Sequence, residues 1–369
     1  MKFTCTKASL QQAVQTVQKA VATKTPLSIL TGIYLSASDS QLELQATDYE
    51  IGISCSIAAE VSEPGKAVLS GRYFQELVRR LPGETVEIST NGEDTTIRIS
   101  CAASQFNLLN LPYEEFPTIQ KMALDHSLIL KDNILRELIK KTVFACATDE
   151  SRPIFTGGLL EAENTQIKMV GTNTHRLALK QDTIEEVPQP VKMIIPAKIL
   201  NELGRVLTTD IPQDVSVCWQ KNQVAFSFDN VYISSRLIEG QFPDYNRVIP
   251  PGFQTRVQIQ SQEFLDAVER VSLMARDSDY NVIKFHFADN QVQITSNNPD
   301  IGKACEIVSA VIEGDPVDIA FNAKYVTDIL KNIDSESLIF ALNNSLSPAS
   351  IKPIDDENYT YIITPVRTA

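Results

Sequence analysis

The sequence predicts an α+β protein made of three tandem copies of one module of helices and antiparallel sheet. Three observations carry that expectation. A helix-like stretch recurs every 126 residues, at Ser70 to Leu81, Pro196 to Leu207 and Asn322 to Ile333. A strand-like stretch recurs every 125, at Leu42 to Asp48, Ile167 to Asn173 and Val292 to Asn298, alternating apolar with polar residues and ending in Thr, Asn or Asp, which favour turns. A further helix-like stretch opens each copy, at Leu10 to Val17, Ile134 to Lys141 and Phe264 to Val271.

The remaining elements follow in order. Short alternating runs lie between the two helices of each copy and again after the second, among them Thr95 to Cys101, Gln223 to Phe228 and Leu338 to Leu342. Asn91-Gly92 reads as a hairpin turn between two of them. One copy is therefore a helix, a group of antiparallel strands, a second helix and another group of strands. Pro-containing links, Leu111 to Thr118 and Gln241 to Pro251, separate the copies and predict modules at 1–120, 121–250 and 251–369. The last strand, Tyr359 to Ile363, runs into Thr364-Pro-Val-Arg367 without a charged tail, as a docked chain end would.

The 126-residue helix carries the functional clue. Aligning its copies puts Arg72, Lys198 and Lys324 in one column, and Arg79, Arg205 and Lys331 in another seven residues on. Seven residues is about two helical turns, so both cations of each copy face one way. The columns Leu77/Leu203/Ile329 and Leu81/Leu207/Ile333 are apolar and belong to the opposite, core-facing side. A cation on one helix is usually a solvated side chain. Matching cations on three helices point to a basic surface for a polyanion.

Composition bounds the alternatives. A chain of 369 residues with 43% hydrophobic and 21% charged residues is an ordinary globular protein long enough for several cores. It has no apolar run of membrane-spanning length and opens without the apolar core of a signal peptide, so a cytoplasmic location away from membranes is expected. Six cysteines, at 5, 55, 101, 146, 218 and 305, form no Cys-x-x-Cys pair and read as reduced core or surface residues. The net charge of -13 argues against a nonspecific basic mat, yet allows a local basic surface.

No enzyme constellation is visible. His126, His175 and His286 lack metal-ligand spacing, and neither a phosphate-cradling Gly-x-x-x-x-Gly-Lys loop nor a dinucleotide Gly-x-Gly-x-x-Gly is present. No metal or cofactor is expected. Asp48, Asp149 and Asp300 read as turn and surface residues, and Trp219 as core rather than a base-stacking platform. The best candidate site is Thr172-Asn-Thr-His-Arg-Leu177, read as a binding surface ahead of a self-satisfied turn or a catalytic cluster.

These residues carry a resemblance. Met1-Lys-Phe-Thr, Pro26-Leu-Ser-Ile-Leu30, Ala46-Thr-Asp-Tyr-Glu50, Thr172-Asn-Thr-His-Arg-Leu177, Phe242-Pro-Asp-Tyr245, Asn297-Asn-Pro299 and Thr364-Pro-Val-Arg367 resemble the bacterial DNA polymerase III beta subunits, the replicative sliding clamps. The likeness spans essentially the whole chain in order and spacing. It implies the DNA clamp fold, with two chains joined head to tail in a six-module ring, helices lining a hole for duplex DNA and sheets outside. It implies a non-catalytic processivity factor whose cations, with Lys24 added, meet DNA.

Partners implied by the resemblance are the replicative polymerase's catalytic subunit, an ATP-dependent clamp loader, repair polymerases and mismatch-repair proteins, all docking through short apolar peptides. Their cleft would lie between the second and third modules. Carried over by position, it includes Phe155, Thr172, Thr174, His175, Arg176, Leu177, Pro243, Arg247, Val248, Ile362, Ile363, Thr364, Pro365, Val366 and Arg367, with Pro365 and Val366 as a pocket wall and the arginines holding peptide oxygens. The homodimer contact would bring Phe106 and Leu108 of one chain to Leu273 and Met274 of the other.

Two departures from the family pattern stand out. Asn173-Thr174 replaces the usual Asp-Gly, which puts a Thr where positive φ is expected. Thr364 stands where Met is common, and the tail runs on through Thr368-Ala369. A repeat scaffold binding proteins through the same cleft without encircling DNA is the runner-up, and a phosphate-ester hydrolase using His175 and Arg176 is the third reading.

Overall fold

A computed structural model describes residues 1–90, 95–122, 126–187, 189–207, 212–275 and 281–367. The Asn91-Gly92 turn and Thr368-Ala369 lie outside these. All six expected helices form: α1 (Lys7–Val17), α2 (Gly71–Arg80), α3 (Asp132–Thr142), α4 (Ala197–Val206), α5 (Ser261–Ser272) and α6 (Ala323–Leu330). The Thr6 hydroxyl caps α1 by accepting from the Ser9 amide at 3.2 Å, and the Asn322 side chain caps α6 by accepting from the amides of Lys324 and Tyr325. Among the described residues, no helix is long and apolar enough to cross a membrane.

The apolar columns of α2, α4 and α6 differ from expectation in one place. Leu203, Leu207, Ile329 and Ile333 are buried, but Leu77 is only half-buried. In α2 the stripe runs through Phe74, Val78 and Leu81, at i, i+4 and i+7, leaving Leu77 at its margin. The columns buried in all three copies are Phe74/Leu200/Val326 and Leu81/Leu207/Ile333.

Contacts gather the chain into two units. Unit one is Met1–Asp132 with Arg205–Leu237, and it holds an antiparallel sheet of 13 strands among the described residues. Unit two is Asn133–Gly204 with Ile238–Ala369, and its sheet has 12. The strands of the central repeat are distributed over both sheets.

Each sheet is continuous because strand groups of different repeats fuse edge to edge. In unit one Val231–Arg236 pairs antiparallel with Ile51–Ala58, Val231 opposite Cys55 and Ser235 opposite Ile51. In unit two Tyr359–Ile363 pairs antiparallel with Arg176–Thr183, Ile363 opposite Arg176. Each fusion satisfies two rows of backbone groups that would otherwise face water or another chain. The expected last strand thus sits inside a sheet.

In unit one α1 packs on α2, and in unit two α5 packs on α6. The core under α5 and α6 is a cluster of phenylalanine rings, Phe264, Phe285, Phe287, Phe321 and Phe340, with centroids 5.3 to 6.3 Å apart. Truncating one such ring to alanine costs about 3–5 kcal/mol. Trp219, expected in a core, is half-buried and stacks on His126 with centroids 6.2 Å apart.

Candidate docking cleft and basic helices

The candidate site begins at the turn between two unit-two strands, Gln166–Thr172 and Arg176–Thr183. Asn173 Oδ1 accepts from the amides of His175 and Arg176, both at 3.1 Å, and the Thr172 hydroxyl accepts from the Thr174 amide and donates to the Arg176 carbonyl. Thr174 is thereby held at φ +77°, the strained position expected from its sequence. The first repeat builds the same turn. Asp48 accepts from Glu50 and Ile51, Thr47 bonds Tyr49 and Ile51, and Tyr49 takes φ +74°. The first two repeats therefore share this geometry, and the cleft depends on what surrounds it.

In unit two the surroundings leave an open cleft of about 510 Å³. Phe155, Leu177, Phe242, Tyr245 and Ile362 make its apolar floor, with Pro243, Val248 and Ile249 around it. Phe155 meets Phe242 edge to face at 6.0 Å. The Tyr245 hydroxyl donates to Glu161 at 2.7 Å, and burial together with that carboxylate raises its pKa above the ordinary range. In unit one the Phe116-Pro-Thr-Ile119 stretch corresponds to Phe242-Pro-Asp-Tyr245. There the Ile119 side chain lies against Gly52, where an added Cβ would meet it at 3.0 Å.

Ten of the fifteen expected cleft residues line it: Phe155, Thr172, Thr174, Arg176, Leu177, Pro243, Arg247, Val248, Ile362 and Thr364. The other five do not. The Ile363 side chain points into the core, as strand alternation requires after Ile362. His175 is exposed and stacks on Tyr325 with centroids 6.5 Å apart. Thr364 is tied to the His175 carbonyl, and the Val366 amide donates to the Ala320 carbonyl at 2.8 Å. The tail thus turns away, placing Val366 and Arg367 on a second, polar hollow beside His286, Asp318 and Leu346, while Pro365 lines neither. Position-by-position reading missed Phe242, Asp244, Tyr245, Ile249, Pro250, Pro251 and Pro348, although the first six sit in the Pro-rich link that the sequence displays.

Arg176 also departs from its expected role of holding peptide oxygens. It is 6% exposed, its Nη1 is 2.5 Å from Asp328 Oδ2 on α6, and its Nη2 donates to the Phe144 carbonyl. The guanidinium lies 4.5 Å from the Tyr325 ring centroid and 5.6 Å from that of Phe144. Nearby, the Cys146 thiol is pushed up to about 12 by burial, against the opposing pull of Arg176, and stays protonated. With Arg176 committed to α6 and His175 stacked on Tyr325, the turn presents no assembled pair for hydrolysis. Among the described residues no group of three His, Cys, Asp or Glu side chains is placed to hold a metal.

All seven expected DNA-facing cations, Lys24, Arg72, Arg79, Lys198, Arg205, Lys324 and Lys331, are exposed. Arg72 lies 5.9 Å over the Tyr73 ring, Lys324 is 3.5 Å from Asp328, and Lys331 is 2.7 Å from Glu269. Besides the terminal strands of each sheet, two longer strands inside the sheets keep part of one side open among the described residues. In Ser104–Leu111 only Asn110 and Leu111 have a partner on the second side, and in Gly302–Glu313 only Ala310 to Glu313 do. Near these edges Phe106, Leu109, Leu273 and Ile307 are exposed, whereas Leu108 and Met274 are half-buried.

Repeated helix-and-sheet modules, an apolar cleft and exposed cation columns are the features of a binding protein. Family models for the N-terminal, central and C-terminal domains of the DNA polymerase III beta subunit match residues 1–120, 129–244 and 246–367. The chain belongs to the DNA polymerase III beta subunit family. It is 34% identical to the beta sliding clamp of Staphylococcus aureus and 33% to that of Staphylococcus epidermidis, each alignment covering both chains completely. Among solved structures, the DNA polymerase sliding clamp of Bacillus subtilis is 35% identical with a TM-score of 0.93. A sliding clamp from Pseudomonas aeruginosa bound to griselimycin is 28% identical, also with a TM-score of 0.93, and both alignments cover both chains completely.

Proposed function

We propose that two copies of this chain join head to tail into a closed ring of six modules that encircles duplex DNA and slides on it. As a member of the beta subunit family, the chain is the processivity factor of a replicative DNA polymerase. It does no chemistry and works in the cytoplasm. Its modules are 1–120, 121–250 and 251–369. The cleft takes short apolar peptides of the polymerase, of the ATP-dependent clamp loader, and of repair polymerases and mismatch-repair proteins. A scaffold that does not encircle DNA is not favoured, since the relatives matched along their whole length are named sliding clamps.

The observation that carries the reading is the exposure of Arg72, Lys198 and Lys324 on three helices that each bury an apolar stripe. Six such helices around a hole present a ring of cations to the phosphates. Each phosphate neutralised adds a salt-dependent term, and a grip on many at once would oppose sliding. Topology retains the ring, and the cations guide it. Dimer closure is supported by the strand pattern: two fusions of the same kind exist within the chain, and the Ser104–Leu111 and Gly302–Glu313 edges remain for a third, between copies. Phe106 and Leu108 would meet Leu273 and Met274 there.

Changing Arg72, Lys198 and Lys324 together to Glu tests the basic surface. Loading onto nicked circular DNA by a clamp loader and ATP is expected to fall at least tenfold, about 1.4 kcal/mol. Sedimentation should still show the dimer. Unchanged loading would contradict the assignment.

A further inference from the structure

We infer that the DNA-facing surface and the peptide cleft are energetically linked through α6, with Asp328 as the carboxylate they share. The inference rests on the proposed function, in that Lys324 must meet DNA and the cleft must take a peptide. Lys324 and Asp328 lie one turn apart on α6, and their pair at 3.5 Å is exposed on the lysine side. The same oxygen, Oδ2, is 2.5 Å from Nη1 of Arg176, which lines the cleft. Tyr325, between them in sequence, adds two further holds on the cleft turn. Its hydroxyl accepts from Asn173 Nδ2 at 3.2 Å, and its ring stacks on both Arg176 and His175.

The sign of the link follows from electrostatics. Two cations on one oxygen repel each other, so each weakens the other's hold. A phosphate that draws Lys324 away leaves Asp328 Oδ2 to Arg176 alone, and that pair tightens. The amides of Thr174, His175 and Arg176 are bonded to Thr172 and Asn173 side chains within the turn that Arg176 anchors. Opening of that turn should therefore become rarer when DNA is bound. An exposed i,i+4 pair with the lysine on the N-terminal side is the weaker orientation, which limits the effect to about twofold. By reciprocity, an occupant that rigidifies the cleft wall raises DNA affinity by the same factor.

The test is hydrogen exchange, read by mass spectrometry on the peptide covering Gly171 to Ala178, in the full-length protein with and without a synthetic duplex at low salt. Fluorescence anisotropy of the duplex monitors binding in the same samples. Duplex is expected to slow exchange about twofold. Free Lys324→Met protein should already show the slowed rate, and duplex should add nothing although the remaining cations still bind it. Asp328→Asn should exchange faster and be insensitive to duplex. Duplex that binds without slowing exchange, or slowing that persists in Lys324→Met, would overturn the link and leave the proposed function standing. Duplex that does not bind the unchanged protein would overturn both.

Discussion

Thr174 shows how much a single residue discloses. An Asn-Thr pair after a strand, where a tight turn is needed, places a β-branched residue at positive φ, and the backbone adopts φ +77° there. Asn tolerates that region better, and it restricts the unfolded chain about as much as Thr does. Thr174→Asn is therefore expected to raise stability by about 0.5–1 kcal/mol, read as a higher denaturant midpoint at unchanged slope. A lower midpoint would mean that the Thr side chain contributes packing beyond the turn. Arg176 was not legible in the same way. Its partner Asp328 lies 152 residues further on, and no local pattern announces that a cleft arginine is already bound to a helix of another repeat.

Periodicity carried most of the reading at the scale of elements. All six helices and the repeated strands appear where alternation and helical spacing put them, because those patterns record which face is buried. The course of the C-terminal tail beyond Thr364 was not legible, because it follows backbone bonds of Thr364 to His175 and Val366 to Ala320, which have no sequence signature. Edge strands fall between these cases. Their residues alternate like any strand, and only the strand pairing of the folded chain reveals that Ser104–Leu109 and Gly302–Ser309 lack a neighbour on one side. Leu109 is 70% exposed and Ile307 58%, an apolar display that a lone sheet edge normally avoids. Replacing both with Lys should weaken dimerisation at least a hundredfold, about 2.8 kcal/mol, by sedimentation equilibrium, with an unchanged circular dichroism spectrum. Undiminished dimerisation would place the contact elsewhere.

At the scale of the whole molecule, the net charge of -13 and the basic helix columns are compatible because they concern different things. Overall charge governs solubility and discourages nonspecific adhesion, whereas local placement decides what a polyanion meets. The three-fold repetition was legible from residue spacing alone. That strands of the central repeat serve two sheets was not, since strand alternation says which face is buried and nothing about which strand lies alongside.

The central claim is that retention on DNA is topological. The most direct measurement loads the protein onto circular plasmid with a clamp loader and ATP, moves to moderate salt, and compares retention before and after the plasmid is cut once. The account predicts that protein stays on circles and runs off the linear product. Equal release from both would show that charge alone had held it, and would contradict the ring.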